Sequence, residues 1–437
     1  MRKEHELLSV SHKLIEMARE YGEAQVNAAS SRVGKVKLEK NDYQIGSTGD
    51  STSIALTIYR DKRKGSATTN DLSDAGLADM VEKAATIASA GIHDEKLAFS
   101  RPGDIVRLPL SDSKVADITP SGLFAMAETI FTPLLKDREI SVDGASLVAQ
   151  CNANCIVNTN GVSVSKETTR LSATVMGMGI RDGETTSFDY SNSRQRQVDG
   201  FIGAAATMIN ELTENLKSTF NPRKCQPYKG LIILSPEVAM DILLGLAGHH
   251  AHGNALKDNV SKWKDKLGQQ VASPLLSVWG DPHNLEYLGA SGFDSAGTPT
   301  GKRTLIDKGI LQFYMESVDS ASRRGTEPTG HENGLRVLMT DGGKGGIMEL
   351  AKKAGTPVLY VHRFSGNLNY AVGDFSGVAK NSHMIVDGEK IPVSETMISG
   401  NAFDLLNSIV GFGESKNCHN EFRTGPIMVD GVTISVG

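Results

Sequence analysis

The first 92 residues show two spacings of apolar positions, one typical of helices and one typical of strands. Leucine, isoleucine and alanine recur at helical spacing until Tyr21-Gly22, which predicts an amphipathic helix. Residues 53–59 alternate polar and apolar side chains as a half-buried strand does, and a charged turn leads into a second short strand. Ser73 is placed to cap a helix that ends at Gly91. Residues 1–92 therefore form a helix–strands–helix unit.

A second unit with the same order of elements is predicted over residues 110–220, after a linker rich in charge and proline. Thr119-Pro120 is a favourable helix start, because proline at the first helical position gives up a donor that has no partner there. Asn160-Gly161 lies between two strand patterns and predicts a type I′ hairpin. A helix over 197–218 closes the unit. The repeated order suggests a structural duplication.

From about residue 225 to residue 437 the pattern changes to short β-rich runs separated by glycine turns. Hairpins are predicted at Asp307-Lys308-Gly309, Asp387-Gly388 and Asp430-Gly431, and helices near 236–248 and 402–410. These returns favour a curled sheet or a barrel. The predicted fold class is therefore α+β, with two helix–strands–helix units followed by a C-terminal β-rich domain that contains a few helices.

Composition narrows the classes of function. The 437 residues carry 46 Lys+Arg against 51 Asp+Glu, a net charge of -5, which disfavours direct binding to nucleic acid or an anionic membrane surface. The four cysteines have neither redox-motif nor zinc-ribbon spacing, so reduced thiols are expected. The sequence shows no signal-peptide pattern and no apolar run long enough to span a membrane. A cytoplasmic location is expected.

Three common catalytic motifs fail on spacing. The glycines at Gly177, Gly179 and Gly183 miss the GxGxxG spacing and lie in a strand pattern. Gly301-Lys302 resembles the end of a phosphate loop but lacks its first glycine and its hydroxyl residue. Ser376 is one position out of register for a GxSxG elbow. The sequence thus supports neither a nucleotide site nor a serine hydrolase.

Histidines cluster at the end of an apolar helix, at His249, His250 and His252. A catalytic zinc needs about three protein ligands and a carboxylate that takes a proton from bound water. No histidine lies four or five positions before the cluster, and neither His5-Glu6 nor His331-Glu332 is followed by a second histidine at the required spacing. The sequence therefore contains no HExxH or HExxxH motif.

Two interpretations of the cluster remain open. His249, His250 and His252 form a metal site with Cys418, because imidazole and thiolate bind zinc or iron well. Alternatively, they form a polar helix end that interacts with the helix dipole. His331 is interpreted as a turn residue.

Ordered motifs along nearly the whole chain resemble the TldD/PmbA family. The N-terminal signature is Ile54–Tyr59 followed by Arg63–Ser73, and the C-terminal signature is Phe293–Gly297 followed by Leu305–Leu311. Further similar segments are Asn158–Gly161, Pro328–His331, Gly373–Ser376, Pro392–Glu395 and Ile398–Asn401. The resemblance implies a cytosolic metalloprotease of two subunits, in which a TldD subunit binds zinc or iron and a TldE (PmbA) subunit completes the substrate chamber. It implies substrates that are peptides or unfolded polypeptides.

The family's HExxxH motif falls in the helix that ends here at 248–253. Its first ligand and glutamate correspond to Gly245-Leu246 or Leu246-Ala247, and its second ligand to His250 or Ala251. Cys418 lies in the region of the third ligand. Residues five apart do not share a face of a regular α-helix, so the motif works only in a distorted helix.

The resemblance therefore favours a TldE/PmbA-like subunit with no catalytic residues, no cofactor of its own, and a TldD-like partner or a second copy of itself. Two alternatives are an autonomous metallopeptidase that uses the His249–His252 cluster with Cys418, and a non-enzymatic interaction protein, since the family is also named as a modulator of DNA gyrase.

Overall fold

The N-terminal region is one long antiparallel sheet covered by helices on one face. The structure, a computed structural model, describes residues 2–40 and 42–436. The strands of this sheet are β1 (Glu23–Glu39), β2 (Asp42–Arg60), β3 (Arg63–Thr69), β4 (Ile140–Asn158), β5 (Ser163–Arg181), β6 (Glu184–Thr185) and β7 (Asp189–Gln195). The helices of this region are α1 (Arg2–Ala18), α2 (Asp74–Ala90), α3 (Ser113–Ala116), α4 (Pro120–Leu135) and α5 (Phe201–Lys217), with a 3₁₀ turn at Arg19–Tyr21.

The two predicted units share this sheet, whose order is β3-β2-β1-β4-β5-β6, with β7 also paired to β5. β1 and β4 pair antiparallel from Gln25↔Asn158 to Glu39↔Gly144. Ala24, Val26 and Ala28 of β1 pack in the core under α1 and α2. Further along the same face, Val36 and Leu38 pack under α4 and α5. The opposite face of β1 carries polar residues, so only one face is covered by helices.

The helix boundaries follow the capping residues. Ser73 accepts a hydrogen bond from the Gly76 N–H and begins α2, and Thr119 accepts one from the Gly122 N–H and begins α4 with Pro120 at its first position. The predicted apolar stripe of α5 is buried. These three helix predictions are confirmed.

The C-terminal region is formed by two further sheets. Its strands are β8 (Tyr228–Leu234), β9 (Val278–Gly280), β10 (Arg303–Asp307), β11 (Ile310–Leu311), β12 (Leu338–Thr340), β13 (Val358–Val361), β14 (Arg363–Leu368), β15 (Asp374–Lys380), β16 (His383–Val386), β17 (Glu389–Pro392), β18 (Thr396–Asn401), β19 (Ile409–Phe412), β20 (Lys416–Cys418), β21 (Phe422–Thr424) and β22 (Ile427–Val436). Its helices are α6 (Pro236–Ala239), α7 (Gly245–Ala251), α8 (Gly253–Lys257), α9 (Val318–Arg324), α10 (Ile347–Ala354) and α11 (Ala402–Asn407).

The larger C-terminal sheet is curled and has the order β14-β15-β18-β22-β8-β13-β16-β17, with β19 paired to β22. The smaller sheet has the order β11-β10-β9-β12-β21-β20. Together with the N-terminal region they give the α+β fold that the sequence predicts. Within residues 2–40 and 42–436, no helix is long and apolar enough to cross a membrane.

Two turn predictions are wrong in detail. The hairpin at Asn160-Gly161 exists, but Gly161 has a positive φ of 98° while Asn160 does not, and the Asn158 side chain accepts hydrogen bonds from the N–H groups of Asn160 and Val162. The turn is thus a longer loop closed by Asn158 and not type I′. Asp430-Gly431 makes no hairpin. It forms a β-bulge inside β22, where the pairing with β8 shifts register between Val429 and Val432.

Candidate functional site

The helix that precedes the histidine cluster is distorted. It begins at Ser235, whose hydroxyl accepts a hydrogen bond from the Val238 N–H, and runs through α6, a π-helical stretch at Met240–Leu244 and α7. The Gly245 N–H bonds to the Met240 carbonyl, five residues earlier. Such wide turns bring residues five apart onto one face, and they occur frequently at functional sites.

This helix is apolar on nearly all sides because it lies inside the C-terminal core. Its buried side chains include Ile242, Leu243, Leu244, Leu246 and Ala247. A helix that is hydrophobic all round is stable only when it is surrounded by protein. Its last turn carries the three histidines, which therefore point into packed surroundings or into the clefts at the helix end.

His250 is fully buried, and both of its ring nitrogens are in use. With the proton on Nε2, the ring donates a hydrogen bond to the Tyr370 carbonyl at 2.8 Å, and Nδ1 accepts one from the Lys262 N–H at 3.1 Å. Burial lowers the pKa of His250 to about 4. The neutral ring thus serves as a bridge between two backbone segments, and neither nitrogen has a lone pair free for a metal ion.

His252 is used in a similar way. Its Nε2 donates to the Glu332 carbonyl at 2.6 Å, and its Nδ1 accepts from the Asn254 N–H at 3.2 Å, which caps α8. His249 is the exception, because its Nε2 is buried without a hydrogen-bond partner in the described part of the chain. Burial also lowers the pKa of His249. The cluster is therefore a structural helix end in which one ring has unused capacity.

Tyr370 fills the space above Gly245. A Cβ atom on Gly245 would lie 2.6 Å from the Tyr370 hydroxyl, which donates a hydrogen bond to the Asp241 carbonyl at 3.0 Å. The Tyr370 ring also stacks on His249 with centroids 5.8 Å apart. A histidine in place of Gly245 would collide with this tyrosine. No pattern in the sequence pointed to Tyr370, because it lies 120 positions after His250, with which it forms a hydrogen bond.

Cys418 lies apart from the histidines. Its thiol is buried in β20 and donates to the Lys416 carbonyl at 3.6 Å, and burial together with Glu237 raises its pKa to about 12. Glu237 is in the first turn of the helix whose last turn carries His250, and the 13 residues between them correspond to a rise of about 20 Å. The described residues contain no group of three or more His, Cys, Asp or Glu placed to hold a metal ion. The structure therefore does not bring Cys418 together with the histidines.

The signature motifs meet where the two regions of the chain pack together. The Asn158 side-chain amide donates to the Ser100 carbonyl at 3.0 Å, and the Ser100 hydroxyl donates to the Ala296 carbonyl at 2.5 Å. The Asp294 carboxylate accepts from the N–H groups of Ala296 and Thr298 at 3.0 and 2.9 Å. In these contacts Asn158 and Asp294 act on backbone groups and shape the turns that join the regions.

His331 is also buried in this part of the molecule. Its Nε2 donates to the Gly301 carbonyl at 3.2 Å, and the Gly334 N–H bonds to its carbonyl, so His331 begins a turn. Burial lowers its pKa to about 4. The interpretation of His331 as a turn residue agrees with this geometry.

Two domain families match the chain. The PmbA/TldA metallopeptidase C-terminal domain matches residues 228–436, and the PmbA/TldA metallopeptidase domain 1 matches residues 25–88. The chain belongs to the TldD/PmbA family. This family consists of metallopeptidases. The resemblance that the ordered motifs suggest is thereby confirmed.

Relatives in the TldD/PmbA family match along almost their full length. The metalloprotease PmbA homolog of Haemophilus influenzae is 27% identical over 447 residues, which is 99% of this chain and 96% of the relative. The metalloprotease PmbA of Escherichia coli O157:H7 is 26% identical and covers 93% of this chain and 89% of its own length. TldE from Thermococcus kodakarensis has the same fold, with a TM-score of 0.87 at 20% identity over 98% of this chain and 100% of that one.

Proposed function

We propose that this chain is the TldE/PmbA-like, non-catalytic subunit of a two-part metalloprotease that acts on peptides or unfolded polypeptides. One observation carries the proposal. At the helix where the family motif would supply a histidine and a glutamate, the chain has Gly245-Leu246 or Leu246-Ala247, and Tyr370 occupies the space above Gly245. A chain without a first ligand and without a base cannot activate water by the metallopeptidase route.

The remaining donors support the same proposal. His250 is at one of the two positions that the resemblance gives for the second ligand, but its nitrogens are bonded to backbone groups of Tyr370 and Lys262. Cys418 is a protonated thiol at neutral pH, since its pKa is raised to about 12. In this proposal the zinc or iron is bound by a TldD-like partner, and this chain contributes to assembly and to the walls of the substrate chamber.

A sheet edge offers a place for an extended substrate. Among the described residues β14 pairs only with β15, and Ser365, Gly366 and Asn367 in its middle are exposed. An exposed edge strand presents unpaired N–H and C=O groups to which a peptide adds as a further strand. We infer that β14 is one edge where this addition occurs.

Elemental analysis tests the absence of a metal site. We expect the purified chain, incubated with zinc or ferrous iron and then desalted, to retain less than about 0.1 equivalent of metal. A structural zinc site requires about four protein ligands, and the described residues bring no group of three or more together. Stoichiometric metal that is lost in His250→Ala would overturn the proposal and support the alternative of an autonomous metallopeptidase.

Peptide cleavage tests the partnership. We expect no cleavage of an unfolded polypeptide by this chain alone and cleavage when a TldD-like protein is added. The His249→Gln variant should support the same cleavage rate in the mixture, because in this proposal His249 binds no metal. A large loss of rate in that variant would contradict the role assigned to the cluster. A stable complex that never cleaves would favour a non-enzymatic interaction protein.

A further inference from the structure

A cavity of about 680 Å³ lies between the N-terminal sheet and the C-terminal region. Its walls come from the adjacent ends of β1, β2 and β3, from the segment 92–100, from α9 and from Glu332. It opens to solvent beside Ile92, whose side chain is 90% exposed. The cavity has the size of a ligand pocket, and its lining combines a few aromatic and apolar side chains with a larger number of polar and charged ones.

Two aromatic rings form one wall. Tyr59 and Phe99 are stacked with centroids 4.0 Å apart and planes 3° from parallel, and both line the cavity. Aromatic ring faces carry partial negative charge and attract cations. Burial raises the pKa of Tyr59 to about 12, helped by the nearby carboxylates of Asp319 and Glu23, so the phenol is neutral and lies in a negative potential. The wall is thus suited to an organic cation.

Glu332 provides a carboxylate on the C-terminal side of the cavity that has no cationic partner. Its Oε2 accepts a hydrogen bond from the Ser295 hydroxyl at 2.7 Å, and in the described part of the chain no Lys or Arg forms an ion pair with it, while the nearby His252 lowers its pKa. Burial raises its pKa, as do the carboxylates of Asp294 and Asp319. The charged form of a half-buried carboxylate that lies among other carboxylates is stabilised when a cation binds beside it.

Neither Arg323 nor Lys64, which line the cavity, forms an ion pair with Glu332. Arg323 forms ion pairs with both Asp94 and Asp319. Its Nε donates a hydrogen bond to the Asp319 Oδ1 at 2.8 Å. Lys64 is exposed at the rim, where water screens its charge. The inner part of the cavity therefore combines an unpaired acid with an aromatic wall, and the exposed Ile92 adds an apolar contact at the entrance.

We propose that this cavity binds the side chain of an arginine or lysine in a polypeptide, with the cation between Glu332 and the Tyr59–Phe99 pair and the aliphatic stem against Ile92. This inference rests on the proposed function, because it names the class of substrate that the subunit holds. A guanidinium fits such a site well, since it donates to carboxylates and stacks on aromatic faces at the same time.

Peptide binding to the full-length chain tests the inference. The probes are three fluorescein-labelled octapeptides of glycine and serine that differ at one central residue, which is arginine, citrulline or glutamate. Citrulline has the shape of arginine without its charge. We expect the arginine peptide to bind about tenfold more tightly than the citrulline peptide by fluorescence anisotropy, because a charged hydrogen bond is worth about that factor.

The matched variants are Glu332→Gln, Tyr59→Leu and Glu211→Gln. Glu332→Gln removes the charge and keeps an acceptor for Ser295, and it should reduce the arginine preference to less than about twofold. Tyr59→Leu should reduce it by a smaller factor. Glu211→Gln removes the same charge from the exposed side of α5 and should leave the tenfold preference intact.

Equal binding of the arginine and citrulline peptides, or a preference that persists in Glu332→Gln, would overturn the inference. The readout needs neither a metal ion nor a partner, so it is independent of cleavage. A chain that prefers the arginine peptide but never supports cleavage would keep the cavity assignment and refute the proposed function. Cleavage without an arginine preference would support the proposed function and refute the cavity assignment.

Discussion

The substitution Gly253→Ala is expected to destabilise the protein by about 3 kcal/mol. A Cβ at this position would lie 2.2 Å from the Ser320 hydroxyl and 2.3 Å from the Glu316 Oε2. Both neighbours are buried, at 0% and 3% exposure, and the Ser320 hydroxyl donates to that same carboxylate at 2.6 Å. The other carboxylate oxygen accepts from Arg324 Nε at 2.8 Å. Relief of the clash therefore requires a buried charged network to move.

Urea unfolding of Gly253→Ala and Gly248→Ala measures this effect against a matched control. Gly248 is in α7, five residues earlier, and a Cβ there would meet nothing within 4 Å. Alanine is the better helix former, so Gly248→Ala should raise the free energy of unfolding by about 0.5–1 kcal/mol. Equal midpoints for Gly253→Ala and the unmodified protein would show that α8 and α9 separate easily, contrary to the contacts described above.

The second large effect is a loss of stability in acid caused by two buried histidines. Burial lowers the pKa of both His250 and His331 to about 4 in the folded state, against about 6.5 in the unfolded chain. Between these two values the unfolded state binds more protons, so stability rises with pH across the interval. As the pH falls from about 6.5 to about 4, each histidine is expected to cost about 3 kcal/mol.

Urea unfolding at a series of pH values between 7 and 4 measures the slope. Because other groups also titrate in this range, the variant His331→Gln is compared with the unmodified protein. It should lower stability at pH 7 and give a shallower slope below pH 6.5. His5→Gln, at an exposed position on α1, should reproduce the pH profile of the unmodified protein. An unchanged slope in His331→Gln would mean that the pKa of His331 is the same in the folded and the unfolded state.

Much of the N-terminal region could be predicted because its elements carry local signals. Ser73 and Thr119 mark helix starts, and the alternation of residues 53–59 marks a strand. The full length of β1 and β4 was not evident. Their middle residues, such as Ser30 and Arg32, lie between the two pairs of helices and are not buried, so the alternation of buried positions is interrupted there.

The site was less predictable because its contacts are distant in sequence. The sequence located the histidine cluster at a helix end and indicated that the helix must be distorted for residues five apart to meet. It gave no sign that Tyr370 occupies the space above Gly245, nor that Lys262 and Glu332 engage His250 and His252. Backbone groups from loops make these contacts, and no residue pattern encodes them.

The pairing of β1 with β4 has a consequence for how the N-terminal region unfolds. Since the two strands are joined along Gln25–Glu39, the helix pairs α1–α2 and α4–α5 rest on a single continuous platform without a hinge. Amide protons at the centre of β1 should exchange only through global unfolding, even though the side chains of that stretch are not buried. The two helix pairs of the N-terminal region are therefore expected to unfold together and not one after the other.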